Sequence, residues 1–205
     1  MKWSAVVLAA GTSSRMEGRN KLLLPIADKP VIRRTVEQVV SAGPHEVVVV
    51  TGLQGREVGR VVVDLPVGLQ PNLRFEEGQM TSVAVGVGAL ARATDAIMVC
   101  LGDMALLGRQ DYLDLVAAYE AAPESSIVIP YFGEDRGNPI LFAASYAPEV
   151  VAGDRKLGCR KLANAYPNEV HRYVAAHDRY TIDMDTPADY ERICRRYAER
   201  EHVAV

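Results

Sequence analysis

The chain has 205 residues, 49% hydrophobic and 24% charged, with a mean hydropathy of +0.00 and a formal net charge of −3. This composition excludes a disordered or fibrous chain and favours one α/β domain with a sizeable core. The acidic balance argues against binding nucleic acid or an anionic membrane through overall basicity, so small-molecule partners are expected. No Cys-x-x-Cys pair occurs, and no signal-type or membrane-spanning run opens the sequence, so a soluble, cytoplasmic protein is expected.

Short apolar runs alternate with segments of helical periodicity through the first half of the chain. The runs are rich in β-branched and aliphatic residues and are bounded by Gly, Pro or Asp, which predicts buried parallel strands. These strands are expected at Ser4–Ala9, Glu46–Thr51 and Ala96–Leu101. Helices are expected at Pro30–Ala42, Gly55–Val63, Ser82–Ala91 and Arg109–Ala121. The alternation predicts a Rossmann-like, doubly wound, mostly parallel sheet in a three-layer α/β/α sandwich.

The second half of the chain departs from this alternation. Two apolar runs, Ile127–Pro130 and Pro139–Phe142, flank the polar stretch Phe132–Asn138, which predicts a hairpin-like insertion. Further elements are expected as a helix at Lys156–Asn164, strands at His171–Ala175 and Tyr180–Met184, and a closing helix at Thr186–Glu201. Thr186 followed by Pro187, with an acid at the third helical position, is typical of a capping box.

The segment after the first strand has the chemistry of a phosphate-binding loop. It reads Leu-Ala-Ala-Gly-Thr-Ser-Ser-Arg-Met over residues 8–16, and Lys21 follows. Small residues let the backbone approach an anion, while N–H groups, hydroxyls, Arg15 and Lys21 can bind phosphate oxygens. The loop matches neither the P-loop nor the glycine fingerprint of dinucleotide folds, which argues against a nicotinamide-dependent oxidoreductase. An ordinary turn carrying two solvated cations also fits the pattern.

Carboxylates follow two of the predicted strands. Asp103 comes directly after the strand Ala96–Leu101, at the edge where open α/β sheets bind ligands. Asp183 and Asp185 alternate in the strand predicted before the closing helix and would share one face. Mg²⁺ prefers one or two carboxylates completed by substrate oxygens and water, so Asp103 and Asp185 predict a Mg²⁺ site. A turn residue and a helix-capping acid are the open alternatives.

Polar residues also precede the helix predicted at Ser82–Ala91. They are Asn72 and the stretch Glu-Gly-Gln-Met-Thr-Ser over residues 77–82. Polar side chains at a helix N-terminus can hydrogen-bond a base or ribose. Ordinary capping by Thr81 or Ser82 explains the same pattern.

Together these motifs resemble a known family. In chain order they are L-A-A-G-x-S-x-R-M, K-L-L-L-P, N-x5-G-x-M-x-S, L-G-D-M and D-x-D-T-P. The combination resembles the MobA-like NTP transferases that load a nucleotide onto molybdopterin, in particular the molybdenum cofactor cytidylyltransferase branch. The resemblance runs from Val6 to about Tyr190. The guanylyl branch reads L-A-G-G, so Ala10 favours CTP over GTP.

The resemblance implies a role for each matching residue. It implies nucleotide binding by Leu8, Ala9, Ala10, Gly11, Arg15, Lys21, Asn72, Ser82 and Gly102. It implies catalytic roles for Arg15, Lys21 and Asp103, with Mg²⁺ on Asp103 and Asp185. Two departures concern the acceptor side: Asn138 stands in R-G-N-P where the family often has R-G-H-P, and Gln79 and Thr81 alter a run of the G-M-S-S-S type.

The implied activity is Mg²⁺-dependent transfer of CMP from CTP to the phosphate of molybdopterin, with release of pyrophosphate. The implied fold is a single domain of the nucleotide-diphospho-sugar transferase type over residues 1–205. An NTP-binding half would reach to about Leu107, and an acceptor-binding half with the hairpin insertion would follow from about Gly108. The alternatives are a guanylyl-, sugar-phosphate or polyol-phosphate nucleotidyltransferase, and a non-catalytic maturation factor that hands the cofactor to a molybdenum hydroxylase.

Overall fold

The computed structural model describes residues 1–152 and 159–203 of the chain. Its strands are β1 (Trp3–Ala9), β2 (Pro25–Ile26), β3 (Lys29–Pro30), β4 (Val47–Thr51), β5 (Gly68–Pro71), β6 (Ala96–Leu101), β7 (Ile127–Phe132), β8 (Asp135–Arg136), β9 (Ile140–Ala143) and β10 (Val170–Val174). Its α-helices are α1 (Val31–Ser41), α2 (Gly55–Val62), α3 (Gln79–Gly88), α4 (Arg109–Ala121), α5 (Ala147–Ala152), α6 (Cys159–Ala165) and α7 (Pro187–Val203).

One mixed sheet organises the described part of the chain, in the strand order β10-β7-β9-β6-β1-β4-β5, with β8 paired to β7. β1 lies parallel to β4 and β6, β4 to β5, and β10 to β7. β9 is antiparallel to both of its neighbours, β6 and β7. The predicted hairpin insertion is therefore built into the main sheet: β7 turns into β8, and β9 returns between β6 and β7.

Successive side chains of β1 face two separate hydrophobic cores, because side chains alternate along a strand. Ala5, Val7 and Ala9 pack in one core with residues of α1, α2, α4 and α7. Val6 and Leu8 pack in the other with residues of α3, α5 and α6. These two layers around a mostly parallel sheet confirm the predicted three-layer sandwich.

The elements predicted for the first half form with small boundary shifts. The three predicted strands and the helices α1, α2 and α4 agree with the expected ranges to within a residue or two. α3 begins at Gln79, three residues before its predicted start, because Gly78 at φ 110° turns the chain directly into the helix. The edge strand β5 was not predicted: it is short, largely exposed and ends in proline.

The strand predicted at Tyr180–Met184 is wrong. A 3₁₀ helix at Asp178–Thr181 and an irregular segment take its place. The Tyr180 hydroxyl donates to the backbone oxygen of Asp111 at 2.8 Å, and its own carbonyl accepts from the N–H of Asn138 at 2.8 Å. The backbone carbonyl of Tyr180 thus accepts a tertiary hydrogen bond and not one of a sheet ladder.

The capping box predicted for the closing helix α7 is confirmed. The Thr186 N–H donates to Asp189 Oδ2 at 2.9 Å, and the Asp189 N–H donates back to Thr186 Oγ1 at 3.2 Å. Of the helix predicted at Lys156–Asn164, residues 159–164 lie in α6, and residues 156–158 lie outside the described residues. No helix within residues 1–152 or 159–203 is both long and apolar enough to cross a membrane.

Candidate functional site

A cleft of about 750 Å³ lies where β1 and β6 end, at the carboxyl edge of the sheet. The loop after β1, the first turn of α3 and the segment before α7 also line it. Of the residues predicted for the site, it brings together Leu8, Ala10, Gly11, Lys21, Ser82, Asp103 and Asp185. A second cleft, of about 570 Å³, opens beside the start of β4 and contains none of the predicted residues.

The loop after β1 is held by its own turns and by one buried side chain. Ser13 has a left-handed φ of 51°, and its carbonyl accepts from the Met16 N–H at 2.9 Å. The Met16 side chain is fully buried, which anchors the loop to the protein. A Cβ added to Gly11 would meet nothing within 4 Å, so the backbone of Gly11 borders open space inside the cleft.

Lys21 lies between the two carboxylates that were predicted to hold a metal. Its Nζ donates to Asp103 Oδ2 at 2.5 Å and to Asp185 Oδ1 at 2.9 Å. A 3₁₀ turn positions it: the Lys21 N–H donates to Ser13 Oγ at 3.2 Å, and the adjacent Leu22 is buried in the core. Arg15, which is largely exposed, donates to Asp185 Oδ2 at 2.5 Å.

The pKa values of this cluster follow from its charges. Burial acts to lower the pKa of Lys21, but Asp103 and Asp185 outweigh it, and the pKa is raised. Burial acts to raise the pKa of Asp185, but Lys21 and Arg15 lower it. The pKa of Asp183 is raised by burial and then by repulsion from Asp185 and Asp103. Lys21 therefore stays protonated and Asp185 ionised at neutral pH.

One carboxylate oxygen in the cluster has no protein partner. Asp103 is 5% exposed, and its Oδ1 is buried without a hydrogen bond to any described residue. An orphaned buried oxygen is costly unless a ligand satisfies it. In the described ranges no group of three or more His, Cys, Asp and Glu side chains is arranged to hold a metal. Asp103 and Asp185 offer two carboxylates, and two carboxylates completed by substrate and water oxygens fit a hard cation such as Mg²⁺.

Four residues predicted to bind the nucleotide do not line the cleft: Arg15 is exposed outside it, and Ala9, Gly102 and Asn72 lie behind it. Ala9 is 1% exposed within β1. The Gly102 N–H donates to the Leu8 carbonyl at 2.9 Å, and a Cβ on Gly102 would lie only 2.8 Å from that oxygen. Glycine is required there because the segment carrying Asp103 crosses close to β1.

Asn72 is also behind the cleft, where it supports the start of α3. It is 3% exposed, and its Nδ2 donates to Thr81 Oγ1 at 2.8 Å and to Ser82 Oγ at 2.9 Å. Its Oδ1 accepts from the Arg74 N–H at 2.9 Å. The amide thus orients the two hydroxyl side chains of α3, and Ser82 in turn lines the cleft.

The cleft is also lined by residues to which the resemblance assigned no nucleotide-binding, catalytic or metal-binding role. These are Thr12, Leu22, Phe75, Glu76, Gly78, Gln79, Met80, Val83, Val99, Leu101, Arg136, Gly137, Asn138, Ile140, Lys161 and Asp183. Asp183 and Asp185 both reach the cleft as expected, but from an irregular segment instead of one face of a strand. No local pattern marks Lys161, because its position depends on how α6 packs against the sheet.

Comparison with known proteins shows the family of the chain. The MobA-like NTP transferase domain matches residues 5–170, and the chain belongs to this family. The purine catabolism protein PucB of Bacillus subtilis (strain 168) is 30% identical over 199 residues, which cover 93% of this chain and 95% of that protein. The bifunctional protein GlmU of Rhizobium etli (strain CIAT 652) is 37% identical over 135 residues, 64% of this chain, but this match spans only 29% of GlmU.

Solved structures agree on the fold. A nucleotidyl transferase from Methanothermobacter thermautotroptrophicus (Mth528) superimposes with a TM-score of 0.81 and 26% identity, covering 97% of this chain and 99% of that one. Rv0371c of Mycobacterium tuberculosis in complex with manganese gives a TM-score of 0.77 at 21% identity, covering 95% and 99%. The chain thus combines the domain of the MobA-like NTP transferase family with a fold that it shares with a solved nucleotidyl transferase structure.

Proposed function

We propose that this protein is a Mg²⁺-dependent cytidylyltransferase that moves CMP from CTP to the phosphate of molybdopterin or its molybdenum form. The observation that carries the proposal is the cluster of Lys21, Arg15, Asp103 and Asp185 beside an open small-residue loop. Such a cluster suits a triphosphate, because it offers cations for phosphate oxygens and carboxylates for a metal.

The reaction would join an oxygen of the acceptor phosphate to the α-phosphorus of CTP and break the bond between that phosphorus and the oxygen bridging to the β-phosphate. Pyrophosphate leaves with the electron pair, so no covalent enzyme intermediate is needed. Lys21 and Arg15 would bind the triphosphate and offset the charge that develops on the leaving group. The loop at residues 8–12 would orient the nucleotide, since positioning supplies much of the rate in phosphoryl chemistry.

Asp103 and Asp185 would hold Mg²⁺. When bound there, the ion supplies positive charge to the phosphate oxygens. Asp103 would present its unpartnered Oδ1, and Asp185 would contribute from the segment before α7. Ala10, which lines the cleft, supports CTP over GTP through the family pattern.

The experiment that tests this function measures pyrophosphate release with CTP, GTP, ATP and UTP against molybdopterin, sugar phosphates and polyol phosphates, with Mg²⁺ present. We expect the fastest release with CTP and molybdopterin, and a loss of about 10²-fold or more in Asp103→Asn. Faster release with another nucleotide or acceptor would replace the proposed substrate. Binding of molybdopterin without any transfer, unchanged in Asp103→Asn, would identify a cofactor-handing maturation factor instead.

A further inference from the structure

The cleft is bordered by one lysine from each layer of the sandwich. Lys21 precedes Leu22, which is buried in the core that contains α1 and α4. Lys161 precedes Leu162, which is buried in the other core, with α3 and α5. Because the leucine that follows each lysine is buried in a different core, the two lysines border the cleft from opposite faces of the sheet.

The two lysines differ in how their charge is balanced. Lys21 is bonded to Asp103 and Asp185, so the positive charge there is matched by the protein itself. Lys161 is exposed, and no carboxylate of the described residues lies within 4.0 Å of its ammonium group. Its positive charge can attract an anion that enters the cleft.

The loop at residues 136–138 lines the same cleft as Lys161 and the carboxylates. β9 runs antiparallel to β6, with Ile140 beside Val99, so the loop that precedes β9 lies at the carboxyl end of β6 near Asp103. Asn138 is held there by its N–H, which donates to the Tyr180 carbonyl at 2.8 Å. Gly137 packs so closely against Tyr180 that an added Cβ would lie 2.5 Å from its carbonyl oxygen.

We propose that Lys161, together with the loop at residues 136–138, binds the terminal phosphate monoester of the acceptor. This inference rests on the proposed function, because it says where the second substrate of that reaction binds in the same cleft. Transfer between two phosphates brings two anions together, and positive charge on both is needed to hold them at reacting distance. Lys21 and Arg15 serve the nucleotide side, and Lys161 is a cation of the opposite layer that can serve the acceptor.

The test compares Lys161→Ala and Lys161→Arg with the wild type in steady-state transfer, varying CTP and a phosphate-bearing acceptor separately. We expect Lys161→Ala to raise the acceptor KM by about 10- to 100-fold, the range of one charge-assisted hydrogen bond, and to leave the KM for CTP within about twofold. Lys161→Arg should restore most of the acceptor affinity. Lys2→Ala, at an exposed lysine at the start of β1, is the matched control and should change neither KM.

Two further measurements distinguish a failure of this inference from a failure of the proposed function. Calorimetric titration of CTP with Mg²⁺ into Lys161→Ala should give the wild-type affinity, and its thermal unfolding midpoint should equal that of the wild type. An unchanged acceptor KM in Lys161→Ala, or a rise in the CTP KM alone, would overturn the inference while leaving cytidylyl transfer in place. Failure of the wild type to transfer to any phosphate-bearing acceptor would instead overturn the proposed function.

Discussion

Lys21 is the residue on which the charge balance of the site depends. It is 14% exposed at its side chain and is the shared partner of Asp103 and Asp185. Without it, the two carboxylates would face each other, and Arg15, which is exposed, would be the remaining ion-pair partner of Asp185 among the described residues. The same ammonium group is the proposed partner of the triphosphate, so a single residue links the stability of the site to its activity.

We expect Lys21→Ala to lower kcat/KM for transfer by about 10²- to 10³-fold, because it removes a buried cation aimed at developing negative charge. Pyrophosphate release measured at saturating Mg²⁺ tests this. Lys29→Ala is the control, since Lys29 pairs with Glu37 away from the cleft, and its activity should match the wild type. Equal activity in the two variants would remove Lys21 from the proposed mechanism.

Asp178 makes the stability of the protein depend on pH. Its carboxylate accepts two hydrogen bonds from Arg196, at 2.6 and 2.8 Å, which hold its pKa below the usual value of 3.8. A depressed folded-state pKa adds stability that is complete above the unfolded pKa of 3.8 and is lost as the pH falls through the lower folded value.

We therefore expect the free energy of unfolding of Asp178→Asn to fall less than that of the wild type when the pH is lowered from about 5 to about 3. These pH values lie roughly one unit on either side of the usual carboxyl pKa. Urea denaturation at both pH values measures the difference. The effect will be modest, because Asp178 and Arg196 are about a third exposed. An equal loss of stability in both proteins would contradict the assignment of this acid dependence to the pair.

At the scale of elements, the start of α3 depends on a hydrogen-bond network instead of on capping by its own first residue. The N-cap position is Gly78, which makes no side-chain bond, and the buried amide of Asn72 orients Thr81 and Ser82 from behind. This network sets where the first turn of α3 lies along the cleft.

We expect Asn72→Ala to lower the free energy of unfolding by about 1–3 kcal/mol, because the buried hydroxyl of Ser82 and the backbone N–H of Arg74 each lose a hydrogen-bond partner. The KM for nucleotide should rise as the first turn of α3 shifts. Urea denaturation and steady-state kinetics measure the two effects. Asn168→Ala, at an exposed asparagine, should change stability by no more than about 0.5 kcal/mol. A stable Asn72→Ala protein with an unchanged KM would show that the network is dispensable.

At the scale of the whole molecule, α3 packs on the sheet through a glycine. A Cβ on Gly86 would lie 2.3 Å from Val6 Cγ1 and 2.7 Å from Val50 Cγ2, inside the core between β1 and β4. On the same helix, a Cβ on Gly88 would make an ordinary contact with Val151 at 3.6 Å. The two positions therefore form a matched pair for testing helix-to-sheet packing.

We expect Gly86→Ala to destabilise the protein by about 1–3 kcal/mol through overpacking. Gly88→Ala should leave stability equal or slightly higher, because alanine is the better helix former by up to about 1 kcal/mol. Chemical denaturation of both variants is the measurement. Equal stabilities of Gly86→Ala and Gly88→Ala would mean that α3 moves away from the sheet without a loss of stability.

Much of this protein was determined by local sequence. Buried strands, amphipathic helices and the capping box at Thr186 follow from periodicity and from short-range hydrogen bonds, and they formed where expected. The phosphate-type loop and the carboxylate Asp103 could be located because parallel strands deliver their carboxyl ends to one edge. The tertiary structure decided what depends on packing between distant segments. Tyr180 lies in a 3₁₀ turn, and β9 lies within the main sheet. Asn72 and Gly102 lie behind the cleft, where they support residues that line it, and Lys161 lines the cleft. Such placements have no local signal, since they arise from contacts between residues far apart in the chain.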